Sequence, residues 1–215
     1  MLATRVLRNL GLGMSMVVLG ALAPGAAYAA PAQPTYESLL EMARRGDRGL
    51  DFTALRMASA NRLAKASAAD PALRKKMFDA LHQDQWSAVI EIGNQVLAQN
   101  YLDIDAHMFV ALAYEKSHQP EKAAPHRVMG DGLMKSILAS GDGRTPKTAF
   151  VVISVDEEYS VLHHYRLMSN KQDLVTADGH SYDVLTAETD THQEATVIFN
   201  IDKVMAIEDA QLSGH

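Results

Sequence analysis

The sequence predicts an α+β fold: about six antiparallel, repeat-like helices followed by a small antiparallel sheet of three or four strands. Three observations carry this. Apolar residues recur at helical spacing through residues 35–140, the chain then switches to short β-branched runs bounded by turn residues, and no helical stretch separates those runs. The chain accordingly divides into a leader (1–29), a linker (30–34), a helical region (35–140), a β region packed on the helices (141–209) and a polar, frayed tail (210–215).

The leader is read from three consecutive parts. Arg5 and Arg8 make a positive start with no acid before Glu37, residues 10–22 are apolar apart from Ser15 and glycines, and Pro24-Gly25 precedes Ala27-Tyr28-Ala29, an A-x-A cleavage signature. Cleavage is expected after Ala29, because a cut after Ala30 would place Pro31 just past the scissile bond. The apolar run is shorter than the ~20 residues a bilayer core requires, so no stable membrane insertion is expected after cleavage. With no cysteine there is no lipobox, and the separated arginines make no twin-arginine signal. A periplasmic or secreted bacterial protein is the expectation.

The helices follow in order. Tyr36, Leu39, Leu40 and Ala43 share one helical face, closed by Arg44-Arg45-Gly46. Asp51 is placed to cap a second helix carrying Phe52, Leu55, Ala58 and Leu63, and Asp70-Pro71 opens a third with Leu73, Met77, Phe78 and Leu81. Trp86, Val89, Ile90, Val96 and Leu97 define a fourth, and Ala106, Phe109, Val110, Ala113 and Tyr114 a fifth behind Asp103 or Asp105. A sixth follows Gln119-Pro120, with an interruption or bend expected around Pro125 and Gly130-Asp131-Gly132. Ala106, Val110, Ala111, Tyr114 and Ala123 resemble part of a tetratricopeptide repeat, a helix-turn-helix unit of ~34 residues in which small residues let the helices approach. Arg127 and Lys75-Lys76 depart from that pattern, so one unit is recognisable and a second degenerate.

Beyond Ser140-Gly141-Asp142-Gly143 the period changes. Residues 149–155 (AFVVISV) read as a covered strand that residues 157–162 continue or pair with. Residues 173–176 and 181–187 flank Asp178-Gly179, a hairpin signal, and residues 196–202 (TVIFNID) alternate as a last strand.

Composition narrows the partners. The mature chain carries 18 basic and 26 acidic side chains, a net charge of −8, without the dense cationic face that nucleic acid requires. In an oxidising compartment a chain with no cysteine must hold its core by packing alone, and thiol redox or thiolate metal chemistry is excluded. No cofactor is expected.

Residues 141–153 (GDGRTPKTAFVVI), Glu157-Glu158-Tyr159, residues 178–184 (DGHSYDV) and residues 198–201 (IFNI) together resemble an uncharacterised exported bacterial family, domain-of-unknown-function family 4919, and the resemblance extends upstream through residues 51–56 (DFTALR). It implies export, a helical N-terminal part and a small β part. It implies no activity, substrate or catalytic residue.

Candidate binding residues are Gly141, Asp142, Gly143, Thr145, Asp156, Glu157, Glu158, Tyr159, His180 and Asp183. Gly141 to Thr145 could form an anion nest of backbone amides, or a tight turn that ends the helical part; the Lys-Ser/Thr of a nucleotide P-loop is missing. On a strand, Asp156 and Glu158 would share a face for a hard cation or acid–base work, with Glu157 and Tyr159 bonding on the other; a solvated strand end is the plain alternative. Nine histidines show neither H-x-x-x-H nor H-E-x-x-H, and a site from His163, His180 and Asp183 would have to assemble across strands. Two functional classes follow, beside a third reading as a stress or envelope-maintenance protein with no ligand of its own. One is a non-catalytic interaction or scaffold module presenting a helical groove to a periplasmic protein or peptide; the other is a hydrolase or metal-dependent enzyme on Asp156, Glu158, His180 and Asp183. Repeat spacing is a positive signal for the first, and no catalytic motif supports the second.

Overall fold

Most helix starts fall where an oxygen-bearing side chain precedes an apolar run. In the computed structural model, which describes residues 34–63 and 70–213, Thr35 caps α1 (Tyr36–Arg44) by accepting from the Ser38 amide at 3.2 Å. Asp51 caps α2 (Phe52–Leu63) through the Ala54 amide at 2.9 Å, and Asp70 caps α3 (Pro71–His82) through the Ala72 amide at 2.9 Å, with Pro71 in the first turn. After α4 (Trp86–Gln99), Asp103 caps α5 (Ile104–Lys116) through the Ala106 amide at 2.9 Å. The leader of residues 1–29, the linker to residue 33 and residues 214–215 lie outside the described residues.

α6 (Pro120–Leu138) is one helix of 19 residues, so neither Pro125 nor the Gly130-Gly132 pair interrupts it. Its glycines serve close approach: a Cβ at Gly132 would stand 2.4 Å from the Phe52 ring on α2. Among α3 to α6 each helix packs chiefly on the next, while the α1–α2 pair lies against α6. α4 crosses α5 equally closely, since a Cβ at Gly93 would stand 2.4 Å from Val110 Cγ2. Ala106, Val110, Ala111 and Ala113 are fully buried there.

The sheet order is β1-β4-β3-β2, with β1 (Phe150–Val151), β2 (Met168–Ala177), β3 (His180–Glu188) and β4 (Glu194–Asn200). β2 and β3 form a hairpin closed by the two residues Asp178 and Gly179 at φ 52° and 80°, the left-handed pair of a type I′ turn. β3 and β4 are antiparallel, with Val184 opposite Ile198.

Three expectations are corrected here. The sheet is mixed, because β1 runs parallel to β4. A helix does separate strands: α7 (Val155–His164) occupies the stretch read as strand, leaving only Phe150 and Val151 of AFVVISV in the ladder. The chain after β4 forms α8 (Asp202–Leu212), so the polar end from Ala210 continues a helix through Leu212.

Leu185, Ala187, Val197 and Phe199 on one sheet face meet Leu39, Leu55, Leu133, Ile137, Val161 and Leu162 from the helices in one continuous core. Buried Arg56 pins the layers together. Its Nη1 donates to Glu157 Oε2 at 2.8 Å and to the Val151 carbonyl at 3.0 Å, and its Nε donates to Ser136 Oγ at 2.9 Å.

Candidate functional site

The acidic run sits at the start of α7. Ser154 Oγ accepts from the Glu157 amide at 3.3 Å, which fixes the first turn and sends three consecutive carboxylates in three directions about 100° apart. Asp156 therefore does not share a face with Glu158. Asp156 reaches Arg74, Glu157 reaches Arg56 and accepts from the Ile153 amide at 2.9 Å, and Glu158 points at the sheet. Tyr159 lies outward and 40% exposed.

Glu158 meets Asp183 of β3 beneath the helix layer. It is 1% exposed, its Oε1 has no hydrogen-bond partner, and burial, followed by the charge of Asp183 and a hydrogen bond with it, pushes its carboxyl up to about 8. Glu158 is thus protonated at neutral pH. Asp183 also accepts from Gln172 Nε2 at 2.6 Å. His180, by contrast, lies with Asp202 at the head of α8, Nδ1 to Oδ2 2.6 Å. Of the four residues considered for catalysis, only Glu158 and Asp183 come together. Among the described residues no group of three His, Asp or Glu side chains is arranged to hold a metal ion.

The glycine loop is a turn. The amides of Asp142 and Gly143 donate to the Thr148 carbonyl at 2.9 and 2.8 Å, so they do not point outward as an anion nest would. Gly143 has φ 69° and lies against the Phe150 ring, a position that suits glycine. Thr145 Oγ1 pairs with Thr148 Oγ1 at 2.9 Å.

Sequence reasoning overlooked a cleft of about 690 Å³. Its walls are α1 with Tyr36, Leu40 and Arg44, α2 with Ser59 and Arg62, the start of α3 with Asp70 and Arg74, the loop at Asn100-Tyr101, the approach to α7 and the face of α8 that carries Val204, Ile207 and Glu208. Arg74 is neutralised within it: its guanidinium bonds Asp103, donates to Asp105 Oδ2 at 3.1 Å and lies 3.4 Å from Asp156 Oδ1. Although burial opposes its charge, Asp103, Asp156 and Asp105 hold its pKa above the ordinary value. Asp105 Oδ2 also lies 3.1 Å from His163 Nδ1.

Arg44 and Arg62 are held differently. Arg44 Cζ stands 5.3 Å from the Tyr101 ring centroid and Arg62 Cζ 5.4 Å from that of Tyr36. Behind Tyr101 lies a buried histidine: His107 Nε2 donates to the Tyr101 carbonyl at 2.8 Å, which leaves Nδ1 to accept from His126 Nδ1 at 3.1 Å. Burial lowers the His107 pKa to about 4. Nothing in local spacing announces the cleft, because its side chains come from elements far apart in sequence.

These features define an α+β domain in which a layer of helices and a mixed four-stranded sheet share one core. Residues 62–210 match the family model described as Domain of unknown function (DUF4919), and the chain belongs to that family. Residues 51–56, which the sequence resemblance included, precede the matched segment. No curated protein and no solved structure matches the chain.

Proposed function

We propose that the protein is an exported, non-catalytic binding module that takes a periplasmic protein or peptide in the cleft between α1, α2 and α8, on a frame of tetratricopeptide-like helices. The observation that carries this reading is the cleft itself. It lies within the roughly 300–1,000 Å³ usual for pockets that bury a drug-sized ligand, the bulk of a very short peptide, and its lining mixes apolar side chains with exposed guanidiniums. The start of α3 and the last turn of α4, with Ala98 and Gln99, complete the cleft. The alternative, a hydrolase or metal-dependent enzyme, loses support because Asp156 and His180 lie with other partners than Glu158 and Asp183.

A photo-crosslinking side chain at Ile207, on the cleft wall, tests the reading against the same group at outward-facing Tyr159. Irradiation of cells should give a discrete adduct from position 207 and none from 159. Equal labelling from both sites would count against the cleft. Mass spectrometry of the same preparation reads the mature N-terminus, expected at Ala30.

A further inference from the structure

We infer that Arg44 and Arg62 hold the carboxylate of a short peptide-like ligand in the cleft, an inference that rests on the cleft being the binding site. These two guanidiniums differ from their neighbours. Arg56 is buried and paired with Glu157, Arg74 is half-buried and paired with Asp103, Asp105 and Asp156, and Arg45 and Arg127 are paired with Glu41 and Glu115. Arg44 and Arg62 make no ion pair with a described carboxylate, and each lies over a tyrosine ring. A contact of this kind uses the cation's charge and spends no N–H on a carboxylate, and the N–H edge of a guanidinium is what matches a carboxylate with two parallel bonds. Both line the same cleft, Arg62 over Tyr36 and Arg44 over Tyr101, and both rings line it too.

The rest of the lining selects among anions. The carboxylates of Asp70, Asp156 and Glu208 line the same space as the guanidiniums of Arg44, Arg62 and Arg74, so the cleft carries no cationic excess for a dianion such as phosphate, and a single carboxylate on an apolar body fits it better. Leu40, Val204 and Ile207 supply an apolar wall for the atoms attached to that carboxylate. A peptide end has this pattern of charge, amide and apolar side chain.

The test uses trialanine as probe, with trialanine amide and inorganic phosphate as comparators, titrated into the purified protein. NMR follows the arginine Nε–Hε signals and the methyl groups of Leu40 and Ile207. Trialanine should shift the signals of Arg44 and Arg62 saturably, the amide should bind at least about tenfold more weakly, and phosphate should not compete. Arg44→Gln and Arg62→Gln should each weaken trialanine binding by about tenfold or more, the scale of a charge-assisted hydrogen bond, while leaving the protein folded with only a small drop in melting temperature from the lost contact between an exposed arginine and its tyrosine ring. If the amide binds as well as the free acid while the methyl signals shift, the carboxylate inference falls and the cleft reading stands. Tighter binding of phosphate than of trialanine also overturns it, as does the absence of any shift at the arginines with millimolar trialanine.

Discussion

Glu158 is a carboxyl group placed where its charge is unwelcome. It faces Asp183, with the charges of Glu208 and Glu157 adding to the upward push, and one of its oxygens has no partner. The sign of the pH effect follows from its pKa rising from the ordinary 4.5 to about 8 on folding. Between those values the folded state keeps a proton that the unfolded chain has lost, so this group's stabilisation is complete below about 4.5 and is lost as pH rises through 8. The slope for one proton is roughly 1 kcal/mol per pH unit. Glu158→Gln keeps an N–H for Asp183 and cannot ionise. Urea denaturation at pH 5, 6.5 and 8 should show the variant close to the parent at the lowest pH and progressively more stable above it; parallel profiles would falsify this account. In sequence, Glu158 was visible only as one of three adjacent acids. Its burial depended on knowing that the segment is a helix laid across β3.

At the scale of elements, the crossing of α4 and α5 makes a prediction that runs against helix propensity. Gly93 lies mid-helix, where alanine is ordinarily better by about 1 kcal/mol. Here the added methyl would stand 2.4 Å from Val110 Cγ2, and a fully buried valine cannot swing away. Gly93→Ala should therefore destabilise the protein by about 1–3 kcal/mol, and adding Val110→Ala should recover part of that loss by making room for the methyl. Losses that simply add in the double variant would show that the clash is not the cause. The helices α2, α3 and α5 are legible because cap and apolar spacing agree, at Asp51, Asp70 and Asp103, whereas α4 and α6, which no side chain caps, are legible from spacing and from Pro120. α7 was misread because AFVVISV satisfies the criteria for a buried strand, and residues 149, 150, 152 and 153 are indeed buried. The contrary signal was present in Ser154-x-x-Glu157, three acids in the first turn and His163-His164 in the last, a helix signature spread over ten residues. α8 lacked a comparable start, since no side chain caps it. The cleft was not legible at all: Arg44 reads as a helix terminus and Tyr36 as helix packing until α1, α2 and α8 are brought together.

Across the whole molecule, the question is whether the helical part and the β part unfold together. The change of period near residue 140 suggests a boundary, but the packing runs across it. Phe199 of β4 is fully buried in a cluster shared with Leu39 of α1, Leu55 of α2 and Leu133 of α6, and Arg56 ties α2 to β1 and α7. Trp86, the one tryptophan in the sequence, lies in a separate cluster between α3, α4 and α5 and so reports on helices distant from the sheet. If the core acts as one cooperative unit, Trp86 fluorescence and far-ultraviolet circular dichroism should give the same denaturation midpoint. Phe199→Leu, which removes ring atoms from a filled site, should cost about 1–3 kcal/mol and move both midpoints by the same amount, although Trp86 belongs to the other cluster. A Trp86 midpoint left unchanged by the substitution would mean that α3 to α5 fold as a unit of their own, because damage confined to the sheet could then not reach them.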